Sequence, residues 1–143
     1  MSKYVIYDAT TGVIAKTITS DASDISSNVG VGQAALIVTG TETDATHYVS
    51  LGPDTVTAKA SQAVIWDKTT IIGNGTDAAT ATLITNPSTV EVLTNDYDGA
   101  DAIVASTVVD GTVVLNSIVP GFITVVINTG ITFLEHRQEI TVT

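Results

Sequence analysis

The hydrophobic positions of this chain fall in short runs, mostly β-branched, and each run is closed off by Gly, Pro, Asn or Asp. That is the pattern of β-strands. Branched side chains pack well on a pleated surface, and turn residues supply the backbone angles that strands do not use. The clearest case is DGTVVLNSIVPGFITVVINTG, residues 110–130. It predicts two strands, 112–117 and 122–128, forming a core hairpin through a Pro120-Gly121 corner.

From the N-terminus, residues 3–8 and 13–19 predict a hairpin across Ala9-Thr10-Thr11-Gly12, with Gly12 at the position of positive φ. Residues 20–32 read as a small-residue, acidic loop. Asp24 is placed to cap one helical turn there, which Gly30 and Gly32 would soon end. Strands at 33–39, 46–51 and 55–59 follow. Bulky residues then disappear at AKASQA, residues 58–63, which predicts a boundary between an N-terminal β module, 1–60, and a second domain, 61–143.

The second half carries turn signals at Gly73-Asn74-Gly75, Asn86-Pro87, Asp98-Gly99, Asp110-Gly111, Pro120-Gly121 and Thr129-Gly130. Between them lie predicted strands at 64–72, 78–85, 89–94, 102–108, 112–117, 122–128 and 131–142. About seven short strands at this spacing is the pattern of an Ig-like β-sandwich. The fold class expected is therefore all-β, a small N-terminal β module followed by an Ig-like sandwich. Trp66 falls on the first of these strands, so it is not the core tryptophan of antibody domains.

Strand 122–128 departs from simple alternation. Phe122, Thr124 and Val126 line one face, and Ile123, Val125 and Ile127 line the other. A strand with one wet face should alternate apolar with polar. Either the chain's own N-terminal module covers the second face, or a neighbouring protein does, as exposed apolar patches mark interaction sites. Ile123, Val125 and Ile127, with Tyr4, Ile6 and Tyr7 of the first hairpin, are the candidate protein interface.

Composition narrows the partners. Charged residues make up 14% of the 143 positions, about half the usual share, and Thr, Ser, Asn and Gly supply the polarity instead. Net charge is −10, with the five basic residues scattered singly. No basic patch is available for DNA or RNA, and an anionic membrane would repel this surface. With no cysteine, disulfides and thiolate metal sites are excluded. MSKYVIYD lacks the apolar core of a signal peptide, and no apolar run approaches the ~20 residues of a membrane span. The expectation is synthesis in a cytoplasm and release by a route other than secretion.

Signs of chemistry are few. Residues 95–101, NDYDGAD, group carboxylates before a Gly, as a hard cation needs. Aligning Gly99 with the glycine of a helix–loop–helix calcium site puts Thr94 and Ala105 where acids belong, so that motif fails and a solvated loop is the simpler reading. His47 and His136 are the only imidazoles, and no nucleophile motif surrounds any serine. Glu135 and Glu139 flank Arg137 on a terminal strand, the kind of charged edge that discourages sheet addition. Asn74-Gly75-Thr76 is better read as a turn than as a glycosylation site, and no Lys-Ser/Thr follows it to make a phosphate loop. Trp66 and Tyr97 are aromatic enough to stack on a sugar, although packing is the simpler role for both. No cofactor, metal or catalytic residue is expected.

Two sets of motifs carry a resemblance. Tyr4-Val5-Ile6-Tyr7-Asp8, Thr11-Gly12-Val13-Ile14 and Ala45-Thr46-His47-Tyr48-Val49 resemble the start of small virion proteins of tailed bacteriophages. Residues 72–80, IGNGTDAAT, with Asp110-Gly111 and Pro120-Gly121-Phe122-Ile123-Thr124-Val125, are similar to bacterial and phage Ig-like domains. Gly73 and Asn74 stand where those domains usually have Ala-Asp. Phe122 replaces a common Tyr and so removes a possible corner hydrogen bond. The resemblance implies a non-enzymatic virion structural protein, foremost a capsid decoration (cement) protein. It would bind the major capsid protein or other virion proteins, lattice-bound or as a homo-oligomer. A tail, baseplate or fibre-attachment component is the alternative within that class. A carbohydrate-binding adhesin module, using Trp66, Tyr97 and residues 95–101, is the alternative outside it.

Overall fold

A computed structural model of the chain describes residues 1–82, 84–94 and 104–143. Among these the structure is all-β, relieved only by a single 3₁₀ turn at Ile25–Asn28. Asp24 stands at the start of that turn, but its side chain makes no capping bond. The chain divides into two compact units, Met1–Ala60 and Ser61–Thr143.

The first unit contains β1 (Ser2–Asp8), β2 (Ile14–Ser20), β3 (Gln33–Val38), β4 (His47–Ser50) and β5 (Thr55–Ala58). The first three form an antiparallel sheet in the order β2-β1-β3, and the last two form a separate hairpin. The turn after β1 is held by Asp8, whose carboxylate accepts the amides of Thr10 and Thr11, both at 2.8 Å. Gly12 has φ 78°, a conformation in which a Cβ would be strained. Register slips between Ile6 and Tyr7, which pair with Lys16 and Ile14 and leave Ala15 as the extra residue of a bulge. Val5, Tyr7, Ile14 and Val38 then meet Val49 of the hairpin in one small core.

The second unit contains β6 (Ile65–Trp66), β7 (Thr70–Ile71), β8 (Ala78–Thr82), β9 (Ser88–Thr94), β10 (Val104–Val108), β11 (Val113–Asn116), β12 (Gly121–Asn128) and β13 (His136–Val142). A five-stranded sheet runs β10-β9-β12-β13-β7, and a three-stranded sheet runs β11-β8-β6. All pairs are antiparallel except β7 with β13. Alternation along each strand sends one set of side chains inward. Ile71, Val90, Val108, Ile123, Val125, Ile127, Ile140 and Val142 from the larger sheet share one core with Ala79 and Ala81 from the smaller. The two sheets therefore pack face to face.

Three predicted elements are corrected. Residues 112–117 and 122–128 are not hairpin partners. β11 pairs with β8, while β12 lies between β9 and β13. Both hydrogen-bonding edges of β12 are taken, so the Pro120-Gly121 corner carries the chain from one layer to the other. Residues 64–72 are not one strand but two, because the chain changes sheet between Trp66 and Thr70. Asp67 anchors that crossing: its carboxylate accepts the Thr80 amide at 2.7 Å, and its own amide donates to the Thr80 carbonyl at 3.0 Å. Strand 131–142 begins only at His136, after a turn.

A polar clamp joins segments whose proximity no local pattern announces. The Gln62 side-chain amide donates to the carbonyls of Ile127 and Leu134, both at 2.9 Å, and its oxygen accepts from the Thr129 hydroxyl at 3.2 Å. Thr129 also meets the buried Ser88 hydroxyl, which reaches the Thr85 carbonyl. Removing Gln62 leaves two backbone acceptors without their partner, so Gln62→Ala is expected to destabilise the second unit by about 1–3 kcal/mol. Trp66 is the only tryptophan, so its fluorescence during urea unfolding measures that unit directly.

Candidate functional site

One end of the second unit gathers the loop after β7, the link between β11 and β12, and the last residues of the chain. The Gly75 amide donates to the Ser117 carbonyl at 3.0 Å, and the Gly73 amide to the Thr143 carbonyl at 2.8 Å. Gly75 has φ 74°, and a Cβ there would fall 2.9 Å from Ile118 Cγ2. Only glycine permits that approach. The Asn74 side-chain oxygen accepts from the Thr76 amide and hydroxyl and from the Asp77 amide, at 2.8–2.9 Å. Asp77 in turn accepts the Ile72 amide at 2.8 Å and pairs with Lys68. The Lys68 ammonium, foremost, holds the Asp77 carboxyl below its usual range. On the other side, the Ser117 hydroxyl accepts the Val119 amide at 3.0 Å, fixing a tight local turn.

This braced end presents four large apolar side chains to solvent. Ile72 is 58% exposed, Ile118 73%, Val119 58% and Phe122 46%. Register places them together, since Gly121 pairs with Val142 and Val142 with Ile71. None of the four is ionisable, and Lys68 is paired with Asp77. Exposed apolar side chains on a fixed scaffold suit recognition by shape and desolvation. The signal in the sequence was slight: Ile118-Val119, two apolar residues in a link where polar ones are usual.

The interface expected at Ile123, Val125 and Ile127 is corrected. All three belong to the unit's own core, so they are closed to another protein. The opposite face of β12 bears Phe122, Thr124 and Val126. Val126 stands between Glu91 and Arg137 in register, where long charged side chains shield an apolar neighbour with their methylene stems. In the first unit Ile6 and Tyr7 are also buried, and Tyr4 is half-buried. Ile6 and Tyr7 are therefore closed to another protein.

Tyr7 does carry a polar contact. Its ring lies in the core, and its hydroxyl donates to the Asp54 carboxylate. That bond pushes the Tyr7 pKa up to about 12, with burial adding to it, and holds the Asp54 carboxyl below its usual range.

The other candidates are scattered. Trp66 packs against the core of the second unit, and its indole N–H donates to His136 Nε2 at 3.2 Å, so it offers no free sugar platform. Tyr97 and the rest of the 95–101 loop lie outside the described residues. His47 makes a local bond with the Thr46 hydroxyl at 2.7 Å, and Glu135 pairs with Arg137 at 2.7 Å. Among the described residues, no group of three His, Cys, Asp or Glu side chains is placed to hold a metal ion, and no helix is long and apolar enough to cross a membrane.

Compared with known proteins, the chain matches no family model, no curated protein and no solved structure.

Two measurements check this assignment of core and surface. Val125→Ala should cost about 1–3 kcal/mol, by loss of buried methyl groups and the cavity left behind, whereas Ile118→Ser should stay within about 0.5 kcal/mol. Urea unfolding followed through Trp66 compares them. The Tyr7–Asp54 bond predicts a pH dependence with two limits. Asp54 is depressed, so its stabilisation is present above pH 3.8 and is lost as pH falls below that value. Tyr7 is raised, so its stabilisation is lost as pH climbs from 10.0 through about 12. Tyr7→Phe should therefore melt below the parent at neutral pH, and the gap should narrow towards both extremes. Thermal melts from pH 3 to 11 test it.

Proposed function

We propose that this chain is a non-enzymatic virion structural protein of a tailed phage, a capsid decoration protein that docks on a repeating lattice of the major capsid protein. The observation that carries this reading is the uncharged, braced cluster Ile72, Ile118, Val119 and Phe122 at one end of the second unit. An acidic chain binds a protein surface most readily where it does not have to desolvate its own charge. The phage-like motifs at 4–8, 11–14 and 45–49 support the virion assignment.

Strand order supports the Ig-like part of the reading. The sheets β10-β9-β12-β13-β7 and β11-β8-β6 divide the opening strand between layers, and its second half runs parallel to the last. Two sheets packed face to face are what such a sandwich requires. The Pro120-Gly121 corner then joins the two layers, as a Greek-key connection would. A glycan-binding adhesin is the weaker reading, since the Trp66 N–H is already engaged by His136.

The test is co-sedimentation with capsids assembled without this protein. Saturable pelleting is expected for the natural chain. Ile118→Asp with Val119→Asp should lower the affinity about tenfold or more, the loss of ~1.4 kcal/mol or more that burying such contacts supplies. Failure of the natural chain to pellet would overturn the capsid assignment.

A further inference from the structure

The Trp66–His136 hydrogen bond joins the two layers of the second unit, since β6 belongs to the smaller sheet and β13 to the larger. The indole can only donate, so His136 Nε2 must present a lone pair, and the ring's proton sits on Nδ1. A second proton would set N–H against N–H. β6 is short: its ladder with β8 is two residue pairs long, Ile65 with Thr82 and Trp66 with Ala81, and is continued only by the two Asp67 bonds to Thr80.

We propose that this bond is an acid-sensitive latch, and that protonation of His136 opens it and loosens β6 from β8. The surroundings offer the imidazolium nothing in exchange. β12 and β7, the strands that flank β13, carry no titratable residue. Asp67, next to Trp66, is occupied by the Thr80 amide. On β13 and just before it, Arg137 and Glu135 pair with each other and Glu139 is exposed, as is Glu91 on β9 beyond β12. Among the described residues no ion pair reaches His136. Burial accordingly lowers its pKa from 6.5. By linkage, the latch contributes full stability above pH 6.5 and loses it as pH falls through the lower folded value. The proposal does not depend on what the protein binds.

The sole tryptophan makes the test direct. Fluorescence of the full chain, titrated from pH 8 to pH 4.5, should change with a midpoint below 6.5. His136→Gln keeps an acceptor for the indole N–H without titrating, so its profile should be flat, and His47→Gln should titrate as the parent does. Amide deuterium uptake at 64–67, corrected for intrinsic rates, should rise across the same interval in the parent and not in His136→Gln. In the unmodified chain, NMR should show the His136 ring and the Trp66 indole N–H sharing one midpoint, a readout that stands even if the variant fails to fold. A flat parent profile, a His136→Gln profile that still titrates, or separate midpoints for the two groups would overturn the latch.

Discussion

The second unit depends on burial of one stripe, Ile123, Val125 and Ile127, between two sheets. Opposite it the smaller sheet contributes Ala79 and Ala81, residues small enough to let branched neighbours interdigitate at the density of a protein interior. Everything else follows from covering that stripe. β9 and β13 occupy both edges of β12, so β11 is left to pair with β8. The link between β11 and β12 must then cross from one layer to the other. That crossing turns Ile118, Val119 and Phe122 outward at the end of the unit. The exposed cluster is thus a by-product of how the core is closed, and the phage-lattice reading rests on it.

Polar contacts supply what a modest apolar core leaves undone. Gln62 clamps two distant carbonyls, Asp67 anchors the change of sheet, and Trp66 reaches across the layers to His136. In the first unit, Tyr7 plays the corresponding part, its ring in the core and its hydroxyl on Asp54. Gln62, Trp66 and Tyr7 are buried or half-buried and each polar group finds a partner, as the cost of leaving one unpaired demands. Their titration makes parts of the fold sensitive to pH. Asp54 acts at the acid extreme, Tyr7 at the alkaline one, and His136 below its ordinary 6.5.

Much of the candidate site was hidden for a specific reason. Both faces of residues 122–128 look apolar, and a single strand carries no mark of which one meets its own core. The sequence offers Ile123, Val125 and Ile127 as a partner-facing set, and they are the interior. Val126, on the other face, is buried too, with Glu91 and Arg137, distant in sequence, beside it in register. Ile6 and Tyr7 are interior in the same way. Long-range register decides such questions, because a strand's neighbours set its environment.

Local chemistry was enough for the elements themselves. β-Branched runs marked the strands, and Asp8 with Gly12, Asp110-Gly111 and Thr129-Gly130 marked the turns, since backbone angles and short-range hydrogen bonds are written in a few adjacent residues. The strands were therefore legible and the class all-β with them. Pairing was not. Which strand lies beside β12, where 64–72 changes sheet, and which apolar residues end up in water depend on contacts made across dozens of residues. Those contacts are chosen by the best collective burial of side chains, and no segment read alone contains that information.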